Sequence, residues 1–125
     1  MLAGRSVHAL EYRARGGLSD FKIVLFFDPE TFHHIRTEYR LRISASMGGG
    51  PATKTGIETP DSYYLLSEEF ADFKGVDGMT LPHRYTIGFS SEGQTRTFVA
   101  NWILEAKQWV HNGQIDPAIF KASGY

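Results

Sequence analysis

"DFKGVDGMTLPHRYTI", residues 72–87, decides how this chain is read. Asp77-Gly78 sits between two strand-like runs, and both central positions of a primed two-residue turn require positive φ, which this pair tolerates. The stretch therefore predicts a β-hairpin. Pro82 follows four residues after Gly78. Proline has no N–H to give to a ladder, so it belongs at an edge, a strand start or a bulge, where it re-aims the strand "HRYTIGF", 83–89.

Working outward, "IRTEYRLRI", 35–43, alternates cleanly: Ile35, Thr37, Tyr39, Leu41 and Ile43 on one side, Arg36, Glu38, Arg40 and Arg42 on the other. That is a half-buried antiparallel strand. The preceding "DFKIVLFFD", 20–28, places Phe21, Ile23, Leu25 and Phe27 on one face and Lys22, Val24 and Phe26 on the other. Asp28-Pro29-Glu30-Thr31 joins the two as a tight turn. A first strand over about Ser6–Arg13 ends at a turn over Arg15-Gly16-Gly17, and 46–60, rich in Gly and Pro without periodicity, reads as a mobile loop. "SYYLLSEEFADFK", 62–74, is a strand with a bend, its apolar residues changing face between Leu66 and Phe70. A turn over Ser90–Gly93 leads to "TRTFVANWILEAKQWV", 95–110, the last and longest strand, stopped by Asn112-Gly113. Asp116 as N-cap and Pro117 at the first helical position begin a short helical turn over "DPAIFK".

The expected fold is thus all-β: one antiparallel sheet of about six strands, with almost no helix to cover its apolar face. A chain of 125 residues fits a single domain that folds without metal or disulfide. A net charge of −1 provides no field to gather nucleic acid or anionic lipid. The absence of cysteine leaves the redox compartment open and removes Cys-ligated zinc. No apolar run is long enough to span a bilayer. "MLAGRSVHALEY", 1–12, lacks the layout of a secretory signal, which places the chain in the cytoplasm or implies a leader upstream.

"FADFKGVDGMTLPHRYTI" with the long strand and "NGQIDPAIF" after it resembles the C-terminal half of LolA-like outer-membrane lipoprotein-sorting proteins, and "VHALEYRARGGLSDFKIVLFFDPETFHHIRTEYRL" resembles their preceding hairpins. The resemblance implies a strongly curved, unclosed half-barrel whose concave face accommodates acyl chains. Here that face carries Tyr39, Leu41, Ile43, Tyr85, Ile87, Phe98, Trp102 and Leu104. It further implies that the chain is the C-terminal part of a longer protein of the periplasm or cell envelope, whose export signal lies upstream. The partner it implies is an apolar ligand or a lipoprotein, and it brings no cofactor.

Several constellations were weighed against simpler roles. Gly48, Gly49 and Gly50 resemble a phosphate cradle, but no helix follows to supply an anion-binding N-terminus. His33, His34, His83 and His111 are potential zinc ligands with unhelpful spacing, adjacent histidines of a strand pointing to opposite faces. Glu68, Glu69 and Asp72 offer carboxylates for acid–base work, with Glu68 and Asp72 on one face of a regular strand. Arg13, Lys22, Arg36, Arg40 and Arg42 form a basic stripe whose ordinary role is cross-strand pairing with Glu11 and Glu38. The aromatic set, nine Phe, six Tyr and two Trp, is the strongest signal: singly core residues, together a binding surface on an open sheet. The leading expectation is a non-enzymatic module for an apolar ligand, with a small-molecule enzyme or a purely structural domain as alternatives. An open apolar face also predicts a homodimer, formed through that face or through the first or last strand as an edge.

Overall fold

The computed structural model describes residues 4–13, 20–44 and 61–121. The Arg15-Gly16-Gly17 turn, the 46–60 loop and its three consecutive glycines lie outside the described residues. Six strands, β1 (His8–Tyr12), β2 (Phe21–Phe27), β3 (His34–Ile43), β4 (Ser62–Val76), β5 (Met79–Glu92) and β6 (Thr97–Glu105), form one antiparallel sheet in sequence order. β1 and β6 are its edges, so the sheet is open, as expected. A 3₁₀ turn over Pro117–Phe120 follows, with the Asp116 side chain accepting from Ala118 N at 2.8 Å.

The turns obey local chemistry. Asp77 and Gly78 take φ of 48° and 80°, the two positive angles that a primed hairpin needs, between the paired Val76 and Met79. Asp28 Oδ1 accepts from Glu30 N at 3.0 Å and Thr31 N at 2.9 Å, closing the turn between β2 and β3. Those backbone donors, Thr31 first, hold the Asp28 carboxyl below its ordinary 3.8.

Three expectations need correction. The face change expected between Leu66 and Phe70 is not there: Leu66 faces Phe89 and Phe70 faces Tyr85, two residues of one parity on β5. The irregularity falls at Asp72, whose φ is 54°. Beyond it the pairing keeps its register, Phe73 with Pro82 and Lys74 with Leu81, while Asp72 and Lys74 line a concavity with Arg84 and Lys107 beside the one that Phe70, Tyr85 and Leu104 line. Glu68 and Asp72 do not converge: Glu68 accepts from Tyr39 and Tyr85, and Asp72 pairs with Lys74. β6 is not the longest strand, since β4 has 15 residues and β6 only nine. Ala106 N donates to His83 O at 2.8 Å, one residue beyond the last β5–β6 pair, Arg84 with Glu105. The ladder stops, and 106–110 leaves the sheet. Pro82 lies where β6 no longer flanks β5, an edge position as expected, and the turn expected over Ser90–Gly93 falls instead between Glu92 and Thr97.

The two faces differ in chemistry. One is ionic. Glu38, with its side chain 7% exposed, receives Arg36 Nε at 2.8 Å and Arg40 Nε at 2.9 Å. Arg36 Nη1 also reaches Glu69, Lys22 Nζ lies 2.6 Å from Glu11 and Arg42 Nε lies 2.8 Å from Asp61. The basic stripe is thus spent on carboxylates. Val24 and Phe26, on this face, are the only buried hydrophobic residues among those described.

Removing one member of a buried charge group leaves its partners uncompensated. Glu38→Ala should lower unfolding stability by about 3 kcal/mol in urea titration. Arg40→Ala, whose side chain is 53% exposed, should cost under about 1 kcal/mol.

Candidate functional site

The other face is aromatic, and register assembles it. Phe21 and Ile23 of β2 oppose Leu41 and Tyr39 of β3. Tyr39, Leu41 and Ile43 in turn oppose Leu66, Tyr64 and Ser62 of β4. Leu66, Glu68 and Phe70 meet Phe89, Ile87 and Tyr85 of β5, and Tyr85, Ile87 and Ser91 meet Leu104, Trp102 and Phe98 of β6. Opposed residues of an antiparallel pair point to the same side. All eight residues assigned from the sequence, Tyr39, Leu41, Ile43, Tyr85, Ile87, Phe98, Trp102 and Leu104, therefore share this face.

It is widely open. Leu10 is 58% exposed, Tyr12 54%, Phe98 55%, Trp102 52% and Leu104 50%, with Ile43, Tyr64 and Leu66 between 36% and 42%.

Near its centre lies a polar cluster. Glu68 Oε2 accepts from the Tyr39 hydroxyl at 2.9 Å, and Glu68 Oε1 accepts from the Tyr85 hydroxyl. Thr37, opposite Glu68 and 2% exposed, lies 2.8 Å from His34 Nε2 through its Oγ1. The His34 ring packs against Phe27 at 5.3 Å and Phe70 at 5.0 Å, and Phe70 stacks on Tyr85 at 5.1 Å. His34 reaches this face because the β2–β3 register slips between Phe26 and Phe27. Beside the cluster, Phe70, Pro82, His83, Tyr85, Leu104 and Trp109 surround an apolar concavity of about 380 Å³. Trp109 comes from the segment after β6, held by an edge contact with the His83 ring at 6.4 Å and by His111 Nδ1 at 3.0 Å from Asp77. Tyr85 belongs to both parts: its ring lines the concavity and its hydroxyl meets Glu68.

Glu68 was read from the sequence only as one of three carboxylates, and Tyr64, Leu66, Phe70, His34 and Trp109 were not assigned to the site. The parity of "SYYLLSEEF" carries the β4 residues, once the strand is known to be regular up to Ala71. His83 does not meet Glu68: its Nδ1 donates to Leu81 O at 3.1 Å. Asp72 pairs with Lys74 at 2.8 Å. His33 stacks on Phe73 at 4.5 Å, and the strand begins only at His34. Among the described residues, no group of three or more His, Cys, Asp or Glu converges as metal ligands would.

The hydrogen bond to Glu68, with partial burial and the carboxylate charge behind it, pushes the Tyr85 phenol up to about 12 and raises that of Tyr39 above its ordinary 10.0. Neither phenol is an acid near neutrality, and both protons are committed to Glu68.

No protein-family model, curated protein or solved structure matches this chain.

A raised folded-state pKa means that the hydrogen bond's contribution is complete below pH 10 and is lost as pH rises through about 12. Ultraviolet titration of the tyrosines should show a late component near pH 12, absent in Tyr85→Phe and moved toward 10 in Glu68→Gln.

Proposed function

We propose that this chain is a non-enzymatic binding module whose aromatic face takes an apolar ligand, a lipid or a lipoprotein acyl chain, in the cell envelope. The observation that carries this is the extent of the open aromatic face. Eight large hydrophobic side chains stand 36–58% exposed on one side, while Val24 and Phe26 are the only hydrophobic residues buried among those described. At half-exposure each contributes about 100 Å² of apolar surface, about 800 Å² together, which exceeds the patch a monomeric protein ordinarily leaves in water. At about 25 cal/mol per Å² some 20 kcal/mol of gross hydrophobic free energy awaits a cover. The concavity beneath Trp109 gives an alkyl chain a place to enter. The LolA-like resemblance implies the same ligand class and the same compartment.

The alternative of an enzyme on this face has less support. General acid–base work near neutrality calls for a pKa near the working pH. Tyr85, at about 12, is far from it, and no histidine contacts Glu68 among the described residues.

A second copy is the other occupant of the right size, because a standard interface buries about 800 Å² per partner. Two-fold pairing of the aromatic faces would bring two Glu68 carboxylates under one desolvated layer, a like-charge arrangement that costs several kcal/mol. The homodimer is therefore assigned to an edge. β6 has nine residues with an unpaired outer side, enough to continue the sheet into a partner's β6.

Dodecyl maltoside below its micellar concentration should bind with a blue shift of tryptophan emission, and Trp102→Ala should weaken binding roughly tenfold. Mass spectrometry of an organic extract should find co-purified lipid. Sedimentation equilibrium should show a dimer that ligand leaves intact and that Val99→Lys with Ile103→Lys dissociates. Absence of detergent binding together with a lipid-free extract would sink the ligand reading.

A further inference from the structure

Glu68 is out of keeping with its surroundings. Along the register rows from β1 to β6, up to the Phe70–Tyr85 row of β4 and β5, it is the single carboxylate on the aromatic face, and no lysine or arginine shares that stretch; beyond it Glu105 also lines the concavity. Lys22, Arg36, Arg40, Arg42 and Arg84 all fall on the other parity. No ion pair to Glu68 occurs among the described residues, whereas Glu11, Glu38, Glu69 and Asp72 each have a basic partner.

The donors and acceptors are as one-sided as the charge. A carboxylate has about four lone-pair positions, and the two tyrosines occupy two of them. Both phenolic protons point at Glu68, so Tyr39 and Tyr85 show an incoming group only their oxygen lone pairs and the negative faces of their rings. Thr37 is 2% exposed, and its Oγ1 accepts from His34 Nε2, which also donates to the Arg36 carbonyl, so burial keeps the Thr37 hydroxyl away from an incoming group. The cluster thus offers acceptors, a negative charge and aromatic faces, with no exposed donor among Tyr39, Tyr85 and Thr37. A fatty acid or phosphate head would meet repulsion and find no hydrogen bond. A protonated amine would find a charge-assisted bond and cation–π contact together.

Resting on the reading of this face as an apolar-ligand site, we propose that its ligand is an amphiphile with a protonated primary amine: the ammonium seats on Glu68 between Tyr39 and Tyr85, and the chain runs over Tyr85 into the concavity under Trp109. The two parts of the site meet at one side chain, since Tyr85 both lines the concavity and donates to Glu68.

The test compares three probes that share a twelve-carbon chain at neutral pH and low salt: dodecylammonium, dodecyl maltoside and dodecanoate. Wild-type protein should bind dodecylammonium at least tenfold tighter than the maltoside, and dodecanoate more weakly than either. Glu68→Gln should abolish the ammonium preference, bringing the ratio of ammonium to maltoside affinity to about one. Tyr85→Phe, which keeps the carboxylate, should retain the ammonium preference. The wild-type ranking stands as a test by itself should a variant fail to fold. Equal binding of ammonium and maltoside, or preference for dodecanoate, overturns the head-group assignment and leaves the apolar reading in place. Failure of all three probes overturns both.

Discussion

A sheet has two faces, and the described residues of this chain form a single layer with which to satisfy both. The described elements beyond the six strands amount to turns, the segment that carries Trp109 and one 3₁₀ turn. Each face is stabilised in its own way. On the ionic side, Val24 and Phe26 are buried opposite Glu38 and Arg36, among arginines and a lysine whose heads meet carboxylates. Glu38 is the centre of that arrangement. Its two arginines sit two residues away on the same strand, so the alternation that makes β3 amphipathic also makes the ion group.

Among the described residues the aromatic side has no such arrangement, and Glu68 explains why a simple apolar lid does not suit it. Closing that face with hydrocarbon alone would bury a carboxylate held by two neutral donors, an arrangement weaker than pairing with a cation. Tyr39 and Tyr85 reduce the cost without removing it. A face that is apolar over most of its area but anionic at its centre fits a ligand built the same way.

Much of this was legible in the sequence because it depends on local rules. Asp77-Gly78 and Asp28-Pro29 fix their turns through their own backbone preferences. The period of two in "IRTEYRLRI" sorts Tyr39, Leu41 and Ile43 from the arginines without any knowledge of their neighbours. What was not legible depends on register and on single irregular residues. The irregular residue of β4 is Asp72, with positive φ, and not the stretch between Leu66 and Phe70, so a face change expected there separates Phe70 from Tyr85, on which it stacks. The slip at Phe26 and Phe27 turns His34 toward the aromatic face, which strict alternation cannot reveal. The row of Thr37, Glu68, Ile87 and Trp102 joins residues of four strands, and one part of its pairing spans residues 46–60, whose sequence does not set a register.

The central claim is that the aromatic face lies open in the free protein and is covered by a ligand. Acrylamide quenching of Trp102 in a Trp109→Phe background tests this most directly, since Trp102 then is the only indole and sits mid-face at 52% exposure. The account predicts efficient quenching in delipidated protein and strong protection once an alkyl ligand is added. Protection in delipidated, monomeric protein would mean that the chain covers this face itself, and would contradict the account.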